Sequence, residues 1–216
     1  MQTAAGRTIV KVCGLTRLED ASHALACGAD WLGFVVRAES PRVVSPEAAG
    51  AIVAALPGAV AVAVMVAPTP DEALAIARTV GAARVQLHRV HPADWPADFP
   101  LPCAFGVGVD ATGAFAGDVP PPPHLVLLDT AKAGMDGGTG ETFPWNAARV
   151  LASDRDVMVA GGLGPDNVAR AVAELRPFGV DASSRLETSP GIKDPERVRR
   201  FVAAVRESDE RRRQPS

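Results

Sequence analysis

Residues 60–80 decide the fold, and they read VAVAVMVAPTPDEALAIARTV. The first seven residues are apolar without alternation, which is typical of a parallel strand that is buried on both faces. Thr69, Pro70 and Asp71 are residues that commonly begin a helix, and a helix is predicted over residues 72–80. A buried strand followed at once by a helix is the repeating unit of a parallel sheet covered by helices.

The same unit recurs along the chain. A second helix is predicted over residues 48–56, behind Ser45 and Pro46. About eight strand and helix units in a chain of this length favour a closed (β/α)8 TIM barrel over an open sheet, and a single barrel domain is expected over residues 1–216. The predicted strands are Ile9–Cys13, Trp31–Val36, Val60–Val66, Arg84–Leu87, Cys103–Val109, Leu125–Asp129, Val157–Ala160 and Gly179–Ala182.

Three segments depart from the repeat. Residues 92–102 and 111–123 are rich in proline, glycine and aspartate, so they are expected to connect strands as loops or single turns. Residues 207–216 are a run of charges that ends in Gln-Pro-Ser. A frayed, solvated tail is expected there rather than a basic interaction arm.

Composition limits the classes of function. Hydrophobic residues make up 47% of the chain and charged residues 22%, which is enough apolar surface for a folded core. The net charge of -3 gives no basic field for a polyanion, so no nucleic-acid partner is expected. Cys13, Cys27 and Cys103 are scattered without a CxxC pair, which indicates a reducing compartment. Because the N-terminus also lacks the pattern of a secretory signal, the expected location is the cytoplasm.

The sequence argues against a membrane partner and a metal site. Residues 48–70 carry no charge and are long enough to span a bilayer, but Pro57 and Gly58 divide them into a helix end and a strand. His88 and His91 have only a weak metal-ligand spacing, and no metal is expected.

Two loops that follow the seventh and eighth predicted strands are candidates for binding an anion. Gly161 and Gly162 belong to the run AGGLGPDN over residues 160–167, which opens a helix. Glycines let backbone N–H groups approach an anion closely, and a helix N-terminus favours negative charge. A tight turn that merely needs glycine is the alternative. Because barrel enzymes commonly hold phosphate in these two loops, we predict phosphate contacts from Gly161, Gly162, Ser183, Ser184 and Arg185.

Cys13 and Asp129 are candidates for proton transfer, because each follows an apolar run at the mouth end of a predicted strand. A neighbouring cation or dipole would lower the pKa of the Cys13 thiol and make it a proton acceptor. A desolvated mouth would raise the pKa of Asp129 so that it acts as an acid. The alternatives are a small cysteine of the core and an aspartate that caps the next turn.

Two further segments offer candidate substrate contacts. Arg42, after the second strand, has a guanidinium that suits a bidentate contact with a carboxylate, although a solvated arginine fits the pattern equally well. The glycine-rich run Asp136–Gly140 leads to Phe143 and Trp145. A flexible loop with an aromatic anchor is typical of a lid or a substrate clamp.

Together, these motifs resemble those of the phosphoribosylanthranilate isomerase family of tryptophan biosynthesis. The resemblance covers about residues 9–205, and no single motif carries it. The matching segments are Lys11–Thr16, Ser40–Arg42, Gln86–His88, Leu128–Thr130, Gly137–Gly140 with Phe143 and Trp145, Ala160–Leu163, Gly179–Asp181, Ser183 with Ser184, Glu187, and Pro190–Asp194.

The resemblance implies an Amadori rearrangement of N-(5-phosphoribosyl)anthranilate, a small-molecule substrate, by a monomer or a homodimer that needs no cofactor. In this chemistry Asp129 would protonate the furanose ring oxygen, and Cys13 would then remove the C2 proton of the resulting Schiff base. The further substrate contacts that the resemblance implies are those of Arg42, Gln86, His88 and Asp181.

Within that set, Arg42 would hold the anthranilate carboxylate and Asp181 a sugar hydroxyl or the amine. Arg89 and Arg185 stand where the family usually has glycine, and Arg185 either adds a contact to the phosphate or crowds its loop. Two alternatives stay open. One is a sister sugar-phosphate isomerase that also serves histidine biosynthesis, whose first-strand base would usually be aspartate. The other is a phosphate-metabolite-binding barrel without turnover.

Overall fold

Parallel strands close into a barrel in the computed structural model, which describes residues 7–130 and 143–214. Each strand pairs in parallel with the next, β4 pairs with β5, and the last pairs with the first. The barrel strands are β1 (Ile9–Val12), β2 (Trp31–Arg37), β3 (Val60–Val66), β4 (Arg84–His88), β5 (Cys103–Val109), β6 (Leu125–Thr130), β7 (Val157–Val159) and β8 (Gly179–Ala182). The predicted (β/α)8 barrel is confirmed.

The helices begin where the sequence predicts them. Ser45 accepts the N–H of Ala48 at the start of its helix, and Thr69 and Glu72 form a reciprocal capping box at the start of the next. The helices of the described residues are α1 (Leu18–Ala26), α2 (Pro46–Ala54), α3 (Pro70–Val80), α4 (Asn146–Asp154), α5 (Val168–Leu175) and α6 (Pro195–Arg213).

Two connections lack an α-helix, as predicted. A single 3₁₀ turn, Pro92–Asp94, follows β4, and a short strand, Phe115–Ala116, runs antiparallel to β5. Trp95 fills part of the uncovered wall, because its buried ring packs edge-on against Phe105 at a centroid distance of 6.2 Å. Aromatic packing therefore replaces a helix on this side of the barrel.

Alternating residues of each strand divide the core into two layers. On β1, Val10 and Val12 belong to the layer between the barrel and the helices. Ile9 and Cys13 belong to a smaller cluster inside the barrel, and Lys11 is buried on the same side of the strand. The odd-numbered residues of this run therefore point into the barrel, and Cys13, which follows β1, is the one that lines the cavity at its mouth.

The chain leaves β8 through a short hairpin that crosses the mouth. A 3₁₀ turn, Ser184–Leu186, leads into two antiparallel strands, Glu187–Ser189 and Ile192–Lys193, and α6 follows them. Gly191, at φ +82°, connects the two strands, and its carbonyl accepts the Thr16 hydroxyl at 2.6 Å. The hairpin is thereby joined to the loop that follows β1.

The expectation of a frayed tail from residue 207 is wrong for residues 207–213, which complete α6. Ser208 and Asp209 are buried, and the Asp209 carboxylate accepts the backbone N–H of Thr8 at 2.9 Å and its hydroxyl at 2.7 Å. These contacts anchor the end of α6 beside the start of β1. In the described residues, no helix has the combination of length and apolar character that crossing a membrane requires.

Candidate active site

A cavity of 780 Å³ opens at the carboxyl ends of the barrel strands. Its volume lies in the range of sites that hold small molecules. The predicted site residues that line it are Cys13, Arg42, Gln86, His88, Asp129, Gly161, Gly162, Asp181, Ser183 and Ser184. The structure therefore brings together every predicted site residue except Arg185.

A buried ion pair lies at the floor of this cavity. Lys11 and Asp181 are register partners on β1 and β8, and Lys11 Nζ lies 2.9 Å from Asp181 Oδ2. Burial opposes the charge of Lys11, but the interactions with Asp181 and Cys13 together outweigh it, and the pKa of Lys11 is raised. The other carboxylate oxygen, Asp181 Oδ1, is buried and has no hydrogen-bond donor within the described residues. It is therefore a ready acceptor for a ligand donor.

Cys13 directly follows β1, two residues after Lys11, and its surroundings contradict the predicted pKa shift. Burial raises the pKa of the Cys13 thiol, and the nearby ammonium of Lys11 lowers it only in part. The prediction of a lowered pKa for Cys13 is therefore wrong in direction, because desolvation of the thiolate outweighs the attraction of the cation. Cys13 is a protonated thiol in the free protein at neutral pH.

Asp129, at the end of β6, has its pKa shifted in the predicted direction. Burial raises the pKa of this carboxyl to about 6, although the backbone N–H of Thr130 donates to Oδ1 at 2.8 Å and opposes the rise. Gly161 lies against this carboxyl: a Cβ at Gly161 would stand 2.9 Å from Asp129 Oδ1 and 2.6 Å from the backbone nitrogen of Thr130. Only glycine allows the loop after β7 to pass so close to Asp129.

The two predicted phosphate loops lie side by side at one edge of the cavity. Gly161 and Gly162 have φ values of +77° and +62°, which glycine adopts freely. Asn167 holds this loop in place, since its amide donates to the carbonyl of Gly162 at 2.9 Å and its oxygen accepts the N–H of Gly164 at 2.8 Å. In the second loop, the Ser183 hydroxyl is buried and lacks a hydrogen-bond partner among the described residues.

Arg42 faces the cavity from the loop after β2, and Glu187 of the hairpin orients it. Its Nε lies 2.9 Å and 3.1 Å from the two oxygens of Glu187, and its Nη2 lies 2.8 Å from one of them. Lys193 Nζ contacts the same carboxylate at 2.7 Å. The Arg42 side chain is 17% exposed, so its guanidinium is held within the wall rather than solvated.

Gln86 and His88 lie on β4 with both side chains toward the cavity. Gln86 Nε2 and His88 Nε2 are 2.8 Å apart. The His88 ring occupies the space beside Gly106, where a Cβ would come within 2.7 Å of His88 Cε1. Glycine on β5 therefore makes room for the imidazole.

The two arginines that replace the usual glycines occupy different places. Arg89 lines the cavity and has φ +53°, a conformation that glycine adopts without strain and most other residues do not. Arg185 lies over Gly164, where a Cβ would be 2.7 Å from Arg185 Nε, and its Nη2 is 3.6 Å from Asp166. The Arg185 side chain therefore packs behind the phosphate loops and does not line the cavity.

Only part of the predicted lid lies within the described residues. Asp136–Gly140 lies outside the described residues. Phe143 and Trp145 are buried in the layer between barrel and helices, and Arg170 stacks on the Trp145 ring at 4.6 Å. The two aromatic residues are thus part of the core rather than of the cavity wall.

Three residues of the site carry roles that the sequence did not assign. The first is Lys11. A lysine within the apolar run of β1 indicates a buried ion pair, because a buried charge needs a partner, but the partner Asp181 is 170 residues away. Glu187 and Lys193 belong to the segments that match the family, but their residue types and spacing gave no indication of a role. They lie in a charged, exposed-looking segment and become buried only when the hairpin folds across the mouth.

Comparisons with known proteins agree on one family. A family model described as N-(5'-phosphoribosyl)anthranilate isomerase matches residues 10–204. A relative of that name from Rubrobacter xylanophilus is 43% identical, covering 91% of this chain and 98% of its own length. The Haloferax volcanii relative is 42% identical, with 92% and 93% covered.

Solved structures give the same result. The phosphoribosyl anthranilate isomerase of Thermus thermophilus superposes with a TM-score of 0.79 at 35% identity, covering 93% of this chain and 99% of that one. A second isomerase structure, in complex with reduced 1-(o-carboxyphenylamino)-1-deoxyribulose 5-phosphate, has a TM-score of 0.75 at 30% identity, with 93% and 99% covered.

The raised pKa of Asp129 predicts a pH-dependent change in stability. A carboxyl whose pKa rises from 3.8 to about 6 on folding destabilises the fold increasingly as the pH rises through that window, and fully above it. Asp129→Asn should therefore raise the free energy of unfolding at pH 7.5 by on the order of 1–2 kcal/mol, a value reduced for partial exposure to the cavity.

Denaturant unfolding at about pH 4 and pH 7.5 measures this difference. The gain of Asp129→Asn should shrink to a small remainder at the lower pH, where the folded carboxyl is protonated and the unfolded one, with a pKa of 3.8, is about half protonated. Asp94→Asn, in the exposed 3₁₀ turn, is the matched control and should show little change at either pH. An equal gain at both values would mean that Asp129 is not the group that titrates.

Proposed function

Because the chain belongs to the N-(5'-phosphoribosyl)anthranilate isomerase family, we propose that its cavity performs the reaction of that family with Cys13 as base and Asp129 as acid. The protein is an isomerase of tryptophan biosynthesis. It converts N-(5'-phosphoribosyl)anthranilate to 1-(2-carboxyphenylamino)-1-deoxyribulose 5-phosphate. The observation that carries the residue assignment is that a thiol, a carboxyl of raised pKa, an oriented guanidinium and two phosphate loops line one cavity.

The phosphate end of the substrate fits the two loops after β7 and β8. Backbone N–H groups around Gly161 and Gly162, the N-terminal turn of α5 and the hydroxyls of Ser183 and Ser184 would surround the dianion. The lack of a partner for the buried Ser183 hydroxyl within the described residues supports this assignment. Arg185 packs behind the loops and is left out of the proposed contacts.

The anthranilate end fits Arg42. Glu187 occupies the edge of the guanidinium formed by Nε and Nη2, which leaves the edge formed by Nη1 and Nη2 for a second carboxylate. Asp181 Oδ1 is the proposed acceptor for a sugar hydroxyl or the substrate amine. Gln86 and His88, across the cavity, are proposed to contact the substrate between its two anionic ends.

The chemistry then needs one proton transfer from Asp129 and one to Cys13, and it needs no cofactor. Asp129 donates a proton to the furanose ring oxygen, the C1–O bond breaks, and the nitrogen lone pair forms the Schiff base. Its positive charge acidifies the C2 proton, which Cys13 removes to give an enolamine. Tautomerisation of the enolamine adds a proton to C1 and removes the proton of the C2 hydroxyl, which leaves the ketone at C2. The proton that Cys13 gained replaces the one that Asp129 gave, so the substrate is rearranged with no net gain or loss of atoms.

The pKa directions explain how a buried thiol acts as a base. In the free protein Cys13 holds the proton and Asp129, with a pKa of about 6, is ionised at neutral pH. The reactive form, with a thiolate at Cys13 and a protonated Asp129, contains the same number of protons. The two forms differ only in which of the two residues carries the shared proton. The fraction of the reactive form therefore does not depend on pH between the pKa of Asp129 and that of Cys13.

The activity is tested with freshly made N-(5'-phosphoribosyl)anthranilate, whose turnover is followed by the change in anthranilate fluorescence. Each of Cys13→Ser and Asp129→Asn should lower kcat by roughly 10²-fold or more, the usual loss on removing a general base or acid. Cys27→Ser, at the end of α1 and outside the cavity, is the control and should retain the parent kcat. A near-parent kcat in either cavity variant would remove that residue from the mechanism.

The shared proton predicts the pH profile. Between about pH 7 and 8.5 the kcat/KM of the parent should be flat, because the thiol and carboxyl together keep one proton. In Asp129→Asn the thiol has to lose its proton to solvent, so the residual kcat/KM should rise with pH over the same range. A parent profile that itself rises about tenfold per pH unit would show that Cys13 ionises independently of Asp129.

Arg42→Ala should weaken substrate binding by about 2–5 kcal/mol, because truncating one side of a buried charge pair strands the other. The loss should appear mainly in KM and kcat/KM. It should be small for a substrate made with aniline in place of anthranilate, which has no carboxylate. Arg78→Ala, on the exposed face of α3, is the control. An unchanged kcat/KM for the natural substrate would assign the carboxylate contact to another residue.

A further inference from the structure

Lys193 is a buried cation at the edge of the cavity that the proton transfers do not use. Its side chain is 1% exposed, and its Nζ lies 2.7 Å from Glu187 Oε1. The hairpin strand that carries it is held from behind, because the Lys193 backbone N–H donates to Asp20 at 3.0 Å. Burying a lysine here costs desolvation, so its contacts with Glu187 and Asp20 call for a function.

Glu187 is shared by two cations. Arg42 contacts it through Nε and Nη2, and Lys193 contacts it from the other side. Burial would raise the pKa of Glu187, but the hydrogen bonds from Arg42 and the charge of Lys193 overcome this and lower it. Glu187 is therefore ionised. Burial lowers the pKa of Lys193, and its contact with Glu187 opposes the fall. With Lys193 protonated, the three side chains sum to one positive charge.

The sum matters because Arg42 and Glu187 alone would be neutral. A neutral, mutually satisfied pair attracts a further carboxylate weakly, whereas a cluster with one unmatched cation attracts it strongly at short range and low dielectric. Lys193 supplies that cation without lining the cavity itself. Arg42 does line it, and so presents the charge of the whole cluster.

We propose that Lys193 is a specificity-determining residue that selects substrates with a carboxylate. By matching the charge of Glu187, it leaves the charge of Arg42 available to the anthranilate carboxylate. The inference rests on the proposed contact between Arg42 and that carboxylate. Lys193 acts through Glu187 and Arg42 and does not touch the substrate, so it is a positioning residue that sets the net charge beside the substrate carboxylate.

A structural role is the competing explanation. Lys193 Nζ also lies 3.3 Å from the carbonyl of Ser183, in the second phosphate loop. If Lys193 only supported that loop, its loss would weaken every phosphorylated substrate equally. If it sets the charge of the cluster, its loss should weaken only substrates that carry the carboxylate.

The test compares two substrates, N-(5'-phosphoribosyl)anthranilate and its counterpart made with aniline. The measured quantity is the ratio of their kcat/KM values, which cancels losses common to both. Lys193→Met should lower this ratio about tenfold, because the cluster becomes neutral. The double variant Glu187→Gln with Lys193→Met leaves Arg42 unmatched again and should restore the ratio to within about threefold of the parent.

The rescue separates charge from structure, because a purely structural role would make the double variant worse than the single one. An unchanged ratio in Lys193→Met, or a double variant no better than the single one, overturns the proposal. Arg42→Ala distinguishes a failure of the Lys193 inference from a failure of the Arg42 assignment on which it rests. If it lowers the ratio while Lys193→Met does not, only this inference fails; if it leaves the ratio unchanged, the Arg42 assignment fails as well.

Two further variants keep the test decisive if Lys193→Met does not fold. Lys193→Arg keeps the charge and should keep the parent ratio. Glu187→Gln alone leaves two unmatched cations, so its ratio should not fall below that of the parent. A fall of the ratio in Glu187→Gln, with thermal unfolding showing a folded protein, would overturn the proposal.

Discussion

One buried ion pair fixes the electrostatics of the whole mouth. Lys11 and Asp181 face each other across the seam between the first and last strands, with side chains 1% and 7% exposed. Neither charge is stable there alone, because removing one partner of a buried pair strands the other at a cost of about 3–5 kcal/mol. The pair thereby directs one oxygen of Asp181 to the cavity and sets a permanent cation beside Cys13.

The remaining charges are arranged around this pair according to what each end of the substrate carries. In the proposed binding mode, the phosphate meets backbone amides and hydroxyls, which bind an anion without adding a full charge. The proposed partner of the carboxylate is Arg42, which contacts Glu187, and Glu187 in turn contacts Lys193. Between these two proposed contacts stand Cys13 and Asp129, whose pKa values are both raised by burial and which are proposed to share one proton.

The sequence predicts the barrel and part of the cavity from local patterns, whereas Gln86, His88 and Asp181 are expected in the cavity only from the resemblance to the family. Apolar runs locate the strands, and the residue after each run faces the mouth of a parallel barrel. Prediction from sequence fails where distant segments determine the outcome. The pKa of Cys13 depends on how deeply the closed barrel buries the thiol. The side chain of Arg185 turns toward Asp166 rather than the cavity. The burial of Asp209 depends on Thr8, 201 residues away, which no window of sequence contains.

The contact of α6 with Thr8 and the pairing of β8 with β1 have a consequence for the order of synthesis. The strand that completes the barrel is the last barrel strand to leave the ribosome, so β1 is made first and waits longest for its second partner. Until then the nascent sheet has two open edges, and the Lys11 ammonium has no carboxylate opposite it. Such edges pair readily with other chains. A lysine in the middle of the waiting strand is costly to bury without Asp181, and such a charge disfavours the pairing of an open edge with other chains.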